Sequence, residues 1–359
     1  MAGDYGYGNA RIRAMKAALL DRQAYEALLA AASVEALIEA LVHTAYREEI
    51  EAALVKFGGI QCVAEGLSRN TVRTVGAITR FFDGRPRELV RLLVSRWDLF
   101  NLIAILRGQA RGVSAEEILR ALVPAGELKE AELRELVKQP TIRATAELML
   151  TWRLPYGGAL ARALRLSGGD LAGVETELHR SRFRDALCGL GRDGDDLLVR
   201  EMLQTEIDVE NLSLLIRLCG VGDRRAALQA RYGLAETAAL LIDGGSLPPR
   251  LLAELGAAAD VEAMVPLLEG NPYGNSLQNR LEPYRRSGDA GVLERGLEEV
   301  LVLKGIRMFH RDPLSIAIAI GYVWAKSNEI ANLRLIAQGK ELGWAPEMIR
   351  EEMIWWTRE

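Results

Sequence analysis

The chain has 359 residues, of which 49% are hydrophobic and 26% charged, and its formal net charge is −4. A protein of this composition can bury a sizeable core and stay soluble, and it has no overall attraction to nucleic acid. The cysteines are odd in number and far apart, which argues against a disulfide framework or a zinc site; they are Cys62, Cys188 and Cys219.

Apolar segments of the chain are too short to cross a membrane. The most apolar stretch, residues 313–325, has thirteen residues, whereas a spanning helix needs about twenty. The first six residues are polar and lack the apolar core of a signal peptide. We therefore expect a chain that does not enter the bilayer but could lie against a membrane complex.

Helical periodicity dominates the sequence, and strand-like alternation is almost absent. The first clear case, in residues 33–42, places on one face Val34, Leu37, Ile38 and Leu41. Ser114, followed three residues later by Glu117, forms a capping box that predicts a helix start. Residues 131–137 have the pattern of another short amphipathic helix. The sequence therefore predicts an all-α fold.

Three longer helices are predicted from their start signals. An aspartate followed by glycine or proline precedes each of them, at Asp83, Asp193 and Asp312. Aspartate caps the free N–H groups of a helix start, and proline fits the first turn, as at Pro86 and Pro313. We therefore expect these helices to begin close to residues 84, 194 and 313.

One motif, named here the acid–Asn motif, recurs three times in a fixed register. An acidic residue stands three positions before the asparagine of an Asn-Leu pair, and a glycine stands eleven positions after that asparagine. The acid, asparagine and glycine of the three copies are Asp98, Asn101 and Gly112; Asp208, Asn211 and Gly222; and Glu329, Asn332 and Gly343.

A repeat in fixed register indicates one supersecondary unit used three times. Each unit is interpreted as a long helix, a turn at the glycine and a short helix or its remnant, because glycine permits the left-handed conformation that ends a helix. The second copy diverges most after its glycine. The expected repeat units are residues 1–125, 126–244 and 245–359.

A Tyr-Gly pair opens each unit, at Tyr7, Tyr156 and Tyr273. The spacing from this tyrosine to the asparagine of the motif is 94, 55 and 59 residues. The longer first spacing predicts that the first unit carries an insertion, within residues 37–82.

The triplication also predicts an architecture. A helix that is apolar on most faces, as predicted for residues 313–325, must pack among other helices. Three such units in sequence bury one another's faces, and three similar units can close around a pseudo-threefold axis. Closure leaves a central hollow, or at least a concave face.

The acid and the asparagine of each motif share one helix face, because they are three residues apart. A functional interpretation makes them a polar network that lines the axis. A structural interpretation has them satisfy backbone groups of a neighbouring unit, and we favour it because catalysis rarely needs three similar copies. Asparagine is a poor residue in mid-helix, so its recurrence indicates a specific hydrogen-bonding role.

Motifs of catalysis are missing from the sequence. The histidines are scattered, without metal-ligand spacing, at His43, His179 and His310. No glycine cluster has the Gly-Lys-Ser/Thr of a P-loop, and no Gly-x-Ser-x-Gly elbow is present. At the C-terminus, residues 353–356 combine Met353, Ile354 and two tryptophans. Ile349, Met353 and Trp356 have helical spacing. We therefore interpret this cluster as the buried face of a last helix rather than as an exposed interface patch.

With the repeats in place, the chain resembles the C subunit of V/A-type rotary ATPases, called d in the eukaryotic enzyme. The opening residues 7–16 resemble the start of prokaryotic members. Residues 97–102, 328–334 and 312–316, with Gly321-Tyr322, resemble family signatures. The second unit departs from the others, since Gly158 replaces the asparagine seen at Asn9 and Asn275, and Leu218 stands where Gly108 and Gly339 occur.

This resemblance implies an all-helical funnel with pseudo-threefold symmetry and a central cavity. It implies a non-catalytic rotor subunit, without nucleotide or other cofactor, that lies peripherally on the cytoplasmic face of the membrane. Its partners would be the central-shaft subunits D and F and the membrane ring of proteolipid subunits (c or K). Such a subunit would transmit torque between ion flow and ATP chemistry. The resemblance implies that it binds neither nucleic acid nor a small-molecule substrate.

Two other functions stay open at this point. The chain could be a helical-repeat scaffold that binds a different protein partner in a concave face, which co-purification would separate from a rotor subunit. It could also be a helical enzyme with a site buried between units, which would require a pocket of convergent titratable groups.

Overall fold

The computed structural model describes residues 5–166, 170–192, 194–219 and 237–356, and in these ranges the regular structure is helical, without a strand. This confirms the all-α prediction. None of the helices in the described ranges combines the length and the apolarity that crossing a bilayer requires.

The described ranges contain a series of helices. In chain order they are α1 (Gly6–Lys16), α2 (Arg22–Ala30), α3 (Val34–Val42), α4 (Arg47–Leu54), α5 (Gly59–Arg80), α6 (Gly84–Val94), α7 (Arg96–Ala110), α8 (Ala115–Ala121), α9 (Glu130–Val137), α10 (Ile142–Thr151), α11 (Gly157–Leu166), α12 (Leu171–Cys188), α13 (Gly194–Cys219), α14 (Pro249–Ala257), α15 (Val261–Met264), α16 (Pro272–Ser287), α17 (Ala290–Arg307), α18 (Ala317–Glu341) and α19 (Pro346–Glu352). Short 3₁₀ helices lie at Thr237–Leu240, Pro266–Leu268 and Met308–His310.

The first of two compact units contains both ends of the described chain. It consists of Met1–Gly108, Gly112–Lys138 and Gly305–Glu359. Its core joins apolar faces of α2 to α5 with α18 and α19. The side-chain amide of Asn9 donates to the carbonyls of Pro313 and Ser315, each at 2.9 Å. N-terminal and C-terminal segments are therefore packed into one core.

The second compact unit consists of Gln109–Arg111 and Gln139–Lys304. Apolar side chains of α13 to α17 form one core cluster in it. A buried ion pair joins α12 to α13, where Arg182 Nη1 lies 2.9 Å from Glu206 Oε2. The division into three repeats at residues 125 and 244 stays a prediction, because it was drawn from sequence register rather than from compactness.

Short amphipathic helices lie where the sequence predicts them. Helix α3 buries its predicted face, and Ser33 Oγ accepts the N–H of Ala36 at 3.3 Å as its cap. Ser114 Oγ accepts the N–H of Glu117 at 3.2 Å, so the first half of the predicted capping box is formed. Helix α9 buries the apolar side chains of its predicted face, Leu133, Leu136 and Val137.

Helices begin at Gly84 and Gly194 as predicted, but the extent of the first and the start of the third need correction. The helix that begins at Gly84 is interrupted at Ser95, whose hydroxyl donates to the carbonyl of Leu92 at 2.8 Å, and α7 begins only afterwards. Helix α18 begins at Ala317 rather than near residue 313. Asp312 Oδ1 accepts the N–H of Leu314 at 2.8 Å, so the aspartate caps a turn, and the Leu314 side chain is exposed.

The C-terminal aromatic segment is only partly as predicted. Helix α19 ends at Glu352, so the helical spacing expected to reach Trp356 is wrong. Met353 and Ile354 are buried, in agreement with the core interpretation. The Trp355 indole N–H donates to the carbonyl of Arg350 at 3.0 Å, and its ring meets Tyr25 edge to face.

Candidate functional site

The asparagine of each acid–Asn motif holds both backbone groups of one residue. Asn101 donates from Nδ2 to the carbonyl of Val123, and its Oδ1 accepts the Val123 N–H, both at 2.7 Å. Asn211 makes the same pair with Ile242, at 2.9 and 2.8 Å. In the third copy the partner of the asparagine is Ile354.

Asn332 binds Ile354 in this way at 3.0 and 3.2 Å. All three asparagines are buried. Their partners lie outside the helices, so both backbone groups need hydrogen bonds from elsewhere, and an amide side chain supplies both a donor and an acceptor.

The aspartates of the first two copies accept backbone N–H groups at the start of the following repeat. Asp98 accepts the N–H of Glu127 at 2.9 Å and that of Leu128 at 2.8 Å. Asp208 Oδ1 accepts the N–H of Ser246 at 2.9 Å and that of Leu247 at 3.1 Å. Each leucine is buried and stands two residues before the next helix, α9 or α14.

The acid of the third copy binds the first repeat. Glu329 Oε2 accepts the N–H of Leu20 at 2.5 Å, although the two residues are 309 positions apart. Leu20 is buried and stands two residues before α2, as Leu128 and Leu247 stand before their helices. If the predicted division into three repeat units is applied, the hydrogen bonds of the three acids run in a cycle, from first unit to second, second to third and third to first.

Glu329 is also the centre of a buried polar network. Its Oε1 accepts the Tyr46 hydroxyl at 2.6 Å and lies 2.9 Å from the Lys326 ammonium. The ammonium in turn donates to the Tyr46 hydroxyl oxygen at 2.7 Å and lies over the Tyr46 ring. Side chains of Lys326 and Glu329 are 9% and 2% exposed, so this ion pair is inside the core.

A tyrosine accompanies the acid in two of the three copies. The Tyr273 hydroxyl donates to Asp208 Oδ2 at 3.3 Å, as Tyr46 donates to Glu329. Tyr7, which the sequence comparison aligned with Tyr273, is exposed and packs edge to face on Phe81. Tyr46 stands 55 residues before Asn101, the spacing between Tyr156 and Asn211. The insertion within residues 37–82 stays a prediction.

The glycines of the motif end the helices that carry it. Gly112 and Gly343 have φ of +67° and +70°, a conformation that favours glycine. The next N–H reaches back five residues in both copies, from Val113 to the Gly108 carbonyl at 2.9 Å and from Trp344 to the Gly339 carbonyl at 2.8 Å. Gly222 lies outside the described residues.

Glycine is also required where the aspartates bind the next repeat. A methyl group at Gly126 would overlap the carboxylate oxygens of Asp98, and one at Gly245 would overlap Oδ1 of Asp208. The third copy has Ala18 at the corresponding place and the longer Glu329 as its acid. The shorter acid, aspartate, therefore occurs with glycine, and the longer acid, glutamate, occurs with alanine.

Burial dominates the electrostatics of the acid–Asn motifs. It raises the pKa of Asp98 and that of Asp208, although backbone N–H groups oppose the shift. Burial, followed by the nearby carboxylate, raises the pKa of Tyr46 and that of Tyr273. These tyrosines therefore stay protonated and donate to the acids.

The geometry agrees with a structural role for the motif rather than a polar lining. Each acid and each amide of the motif binds backbone groups, and two of the acids, Asp208 and Glu329, also bind buried side chains. Among the described residues, no group of three or more His, Cys, Asp or Glu side chains is arranged to hold a metal ion. Sequence reasoning missed Leu20, Tyr46 and Lys326; only the 55-residue spacing of Tyr46 could have indicated one of them.

We expect Asn101→Ala to release the segment at Val123. The buried N–H of Val123 loses its acceptor, Asn101 Oδ1, and the Val123 C=O keeps only the N–H of Ala125 at 2.7 Å. An unsatisfied buried donor costs about 1–3 kcal/mol of unfolding free energy. Hydrogen exchange of the Val123 amide should accelerate at least about tenfold, while the Ile354 amide, held by Asn332, serves as the control within the same molecule. Unchanged exchange at Val123 would contradict the role of Asn101.

Comparison with known proteins places these contacts in a wider context. A family model described as ATP synthase (C/AC39) subunit matches residues 8–352. Three similar proteins are each named as the C subunit of an A-type ATP synthase. The protein from Methanosarcina barkeri is 28% identical over 354 residues, which cover 98% of this chain and 93% of that protein. The protein from Haloquadratum walsbyi is 26% identical, with 97% of each chain covered. That from Methanocaldococcus jannaschii is 26% identical over 98% of this chain and 86% of its own.

Proposed function

This chain belongs to the ATP synthase (C/AC39) subunit family, a non-catalytic subunit of the rotary ATPase complex, and from that premise we propose that it is the socket of the rotor. In this role it joins the central shaft, made of subunits D and F, to the proteolipid ring of the membrane sector. It transmits torque between ion translocation and ATP synthesis or hydrolysis, and it lies on the cytoplasmic face without entering the bilayer.

The observation that supports this proposal most is the cyclic order of the acid hydrogen bonds. In a subunit that transmits torque, the repeat units must not slide past one another under load. Each acid of the motif holds the start of the following repeat, and Glu329 holds the start of the first repeat through Leu20. Packed helical interiors are close-packed and resist compression. Bonds of this kind at every repeat boundary favour a stiff body over a flexible scaffold.

The mechanism is mechanical rather than chemical. An adaptor between a ring and an asymmetric shaft holds both by contacts spread over a surface, partly polar. No single side chain of such an adaptor takes part in the chemistry of ATP. Its contribution is to keep rotation of the shaft and rotation of the ring in step.

Removal of this chain tests the proposal directly. The rotary ATPase is assembled in vesicles with and without the subunit, and ATP hydrolysis is measured together with ATP-driven uptake of protons and of sodium. Without the subunit, we expect hydrolysis by the catalytic head to continue while ion uptake falls to background.

Adding back the purified chain should restore ion uptake. The matched control is Glu130→Ala, which breaks only an exposed pair with Arg134 and should restore uptake as well as the unchanged chain does. A complex that keeps full ATP-driven ion uptake without this subunit would disprove the socket role.

A further inference from the structure

A pocket of the first compact unit combines positive charge with apolar walls. Its volume is about 360 Å³, within the size range of small-molecule sites. One wall is α5, the second is the C-terminal half of α18, and the third is the end of α8 with the segment that follows it. That segment includes Val123, which Asn101 holds in place.

Arg334 is the central charged group of the pocket. Its side chain is half-buried, and burial lowers the pKa of its guanidinium. No carboxylate is among the causes of that shift, and within the described ranges Arg334 makes no ion pair, side-chain hydrogen bond or ring contact. Removing a cation from water without a partner is costly, and such groups are concentrated at functional sites.

The rest of the lining favours an anion that also has an apolar part. Among the lining residues that the structure describes, the other charged one is Arg120, which is exposed and paired with Glu116 at 2.6 Å. Further donors are the side-chain amides of Gln61 and Gln338, while the Ser68 hydroxyl in the lining already donates to the Leu122 carbonyl at 3.4 Å. Apolar lining comes from all three walls, for example from Val63, Leu122 and Ala337.

We propose that this pocket, named here the Arg334 pocket, binds a small water-soluble anion in which a carboxylate or phosphate group is joined to a short apolar body. The planar guanidinium of Arg334 binds the oxyanion through two parallel N–H donors. Side-chain amide donors complete its shell, and the apolar body lies against the aliphatic walls. This inference is independent of the rotor function, because it requires only the geometry of one compact unit.

The test is a titration of the full-length chain with phenyl phosphate, followed by ligand-detected NMR, with benzyl alcohol as an uncharged probe of similar shape. We expect saturable binding of phenyl phosphate and at least about tenfold weaker binding of benzyl alcohol. Arg334→Gln should weaken phenyl phosphate binding at least about tenfold. Ala64→Leu, on the α5 wall, should also weaken it by filling the pocket while keeping the charge.

Arg134→Gln is the matched control, since Arg134 is exposed, pairs with Glu130 and lies outside the pocket; its affinity should equal that of the unchanged chain. Arg334→Gln removes a desolvated cation, so its urea midpoint should not fall, which separates lost binding from lost folding. Non-saturable binding, equal binding of the two probes, or full affinity in Arg334→Gln would each overturn the proposal.

Discussion

Glu329→Ala is expected to lower the free energy of unfolding by about 3–5 kcal/mol, the usual cost of leaving one member of a buried ion pair without its partner. The Lys326 ammonium, inside the core, then keeps only the Tyr46 hydroxyl oxygen as an acceptor. The Leu20 N–H loses its acceptor as well. Urea unfolding of the full-length chain, followed by circular dichroism, measures this loss.

A double variant without either charge separates the cost of the unpaired cation from the other contacts of Glu329. Replacing both charges, in Lys326→Met with Glu329→Gln, removes the uncompensated cation and should recover most of the lost stability. The exposed pair of Arg134 and Glu130 is the control, because Glu130→Ala should cost less than about 1 kcal/mol. If Glu329→Ala and Glu130→Ala have similar effects, the buried network does not hold the chain ends together.

Gly126→Ala and Gly245→Ala are expected to lower the free energy of unfolding by about 2–6 kcal/mol each. The added methyl group pushes the carboxylate of Asp98 or of Asp208 away from the N–H groups it accepts. Overpacking of this kind costs about 1–3 kcal/mol, and buried N–H groups left without acceptors add about 1–3 kcal/mol. Urea unfolding gives the total, and hydrogen exchange at Leu128 or Leu247 shows where the bonds are lost.

Gly158→Ala is the matched control for these glycines. Gly158 is exposed near the start of α11, and a methyl group there meets nothing within 4 Å. Alanine in a helix should stabilise the chain by about 0.5–1 kcal/mol. Wild-type stability in Gly126→Ala and Gly245→Ala would show that the aspartates do not need their close approach to the backbone.

Local sequence signals predict helices correctly where the deciding interactions are local. Ser33 and Ser114 cap helices within three residues of themselves, and the apolar face of α3 follows from its spacing alone. The same reasoning failed at Asp312, because an aspartate before a proline caps a turn as readily as a helix. It failed again at Ser95, whose hydroxyl competes with the backbone for hydrogen bonds.

The partners of the acid–Asn motif were beyond local reasoning. The recurrence of asparagine in mid-helix indicated a hydrogen-bonding role. It did not indicate that each asparagine would bind both the N–H and the C=O of one backbone residue. The sequence aligned Tyr7 with Tyr273, since both precede a glycine, whereas Tyr46 makes the equivalent contact with an acid. A short sequence motif identifies the side chain that makes a hydrogen bond. It does not identify the partner, which can lie in any segment that the fold brings near.

The sequence by itself determined that the chain is helical, which residues repeat in register and, through that register, which family it resembles, because caps, periodicity and spacing act over a few residues. Only the tertiary structure decided that Glu329 binds Leu20, that Lys326 is buried beside Tyr46 and that Arg334 has no acid opposite it. Those facts depend on packing between segments up to 309 residues apart. A buried charge lowers the stability of the fold when it has no partner, and this cost is offset when it is paired and hydrogen-bonded.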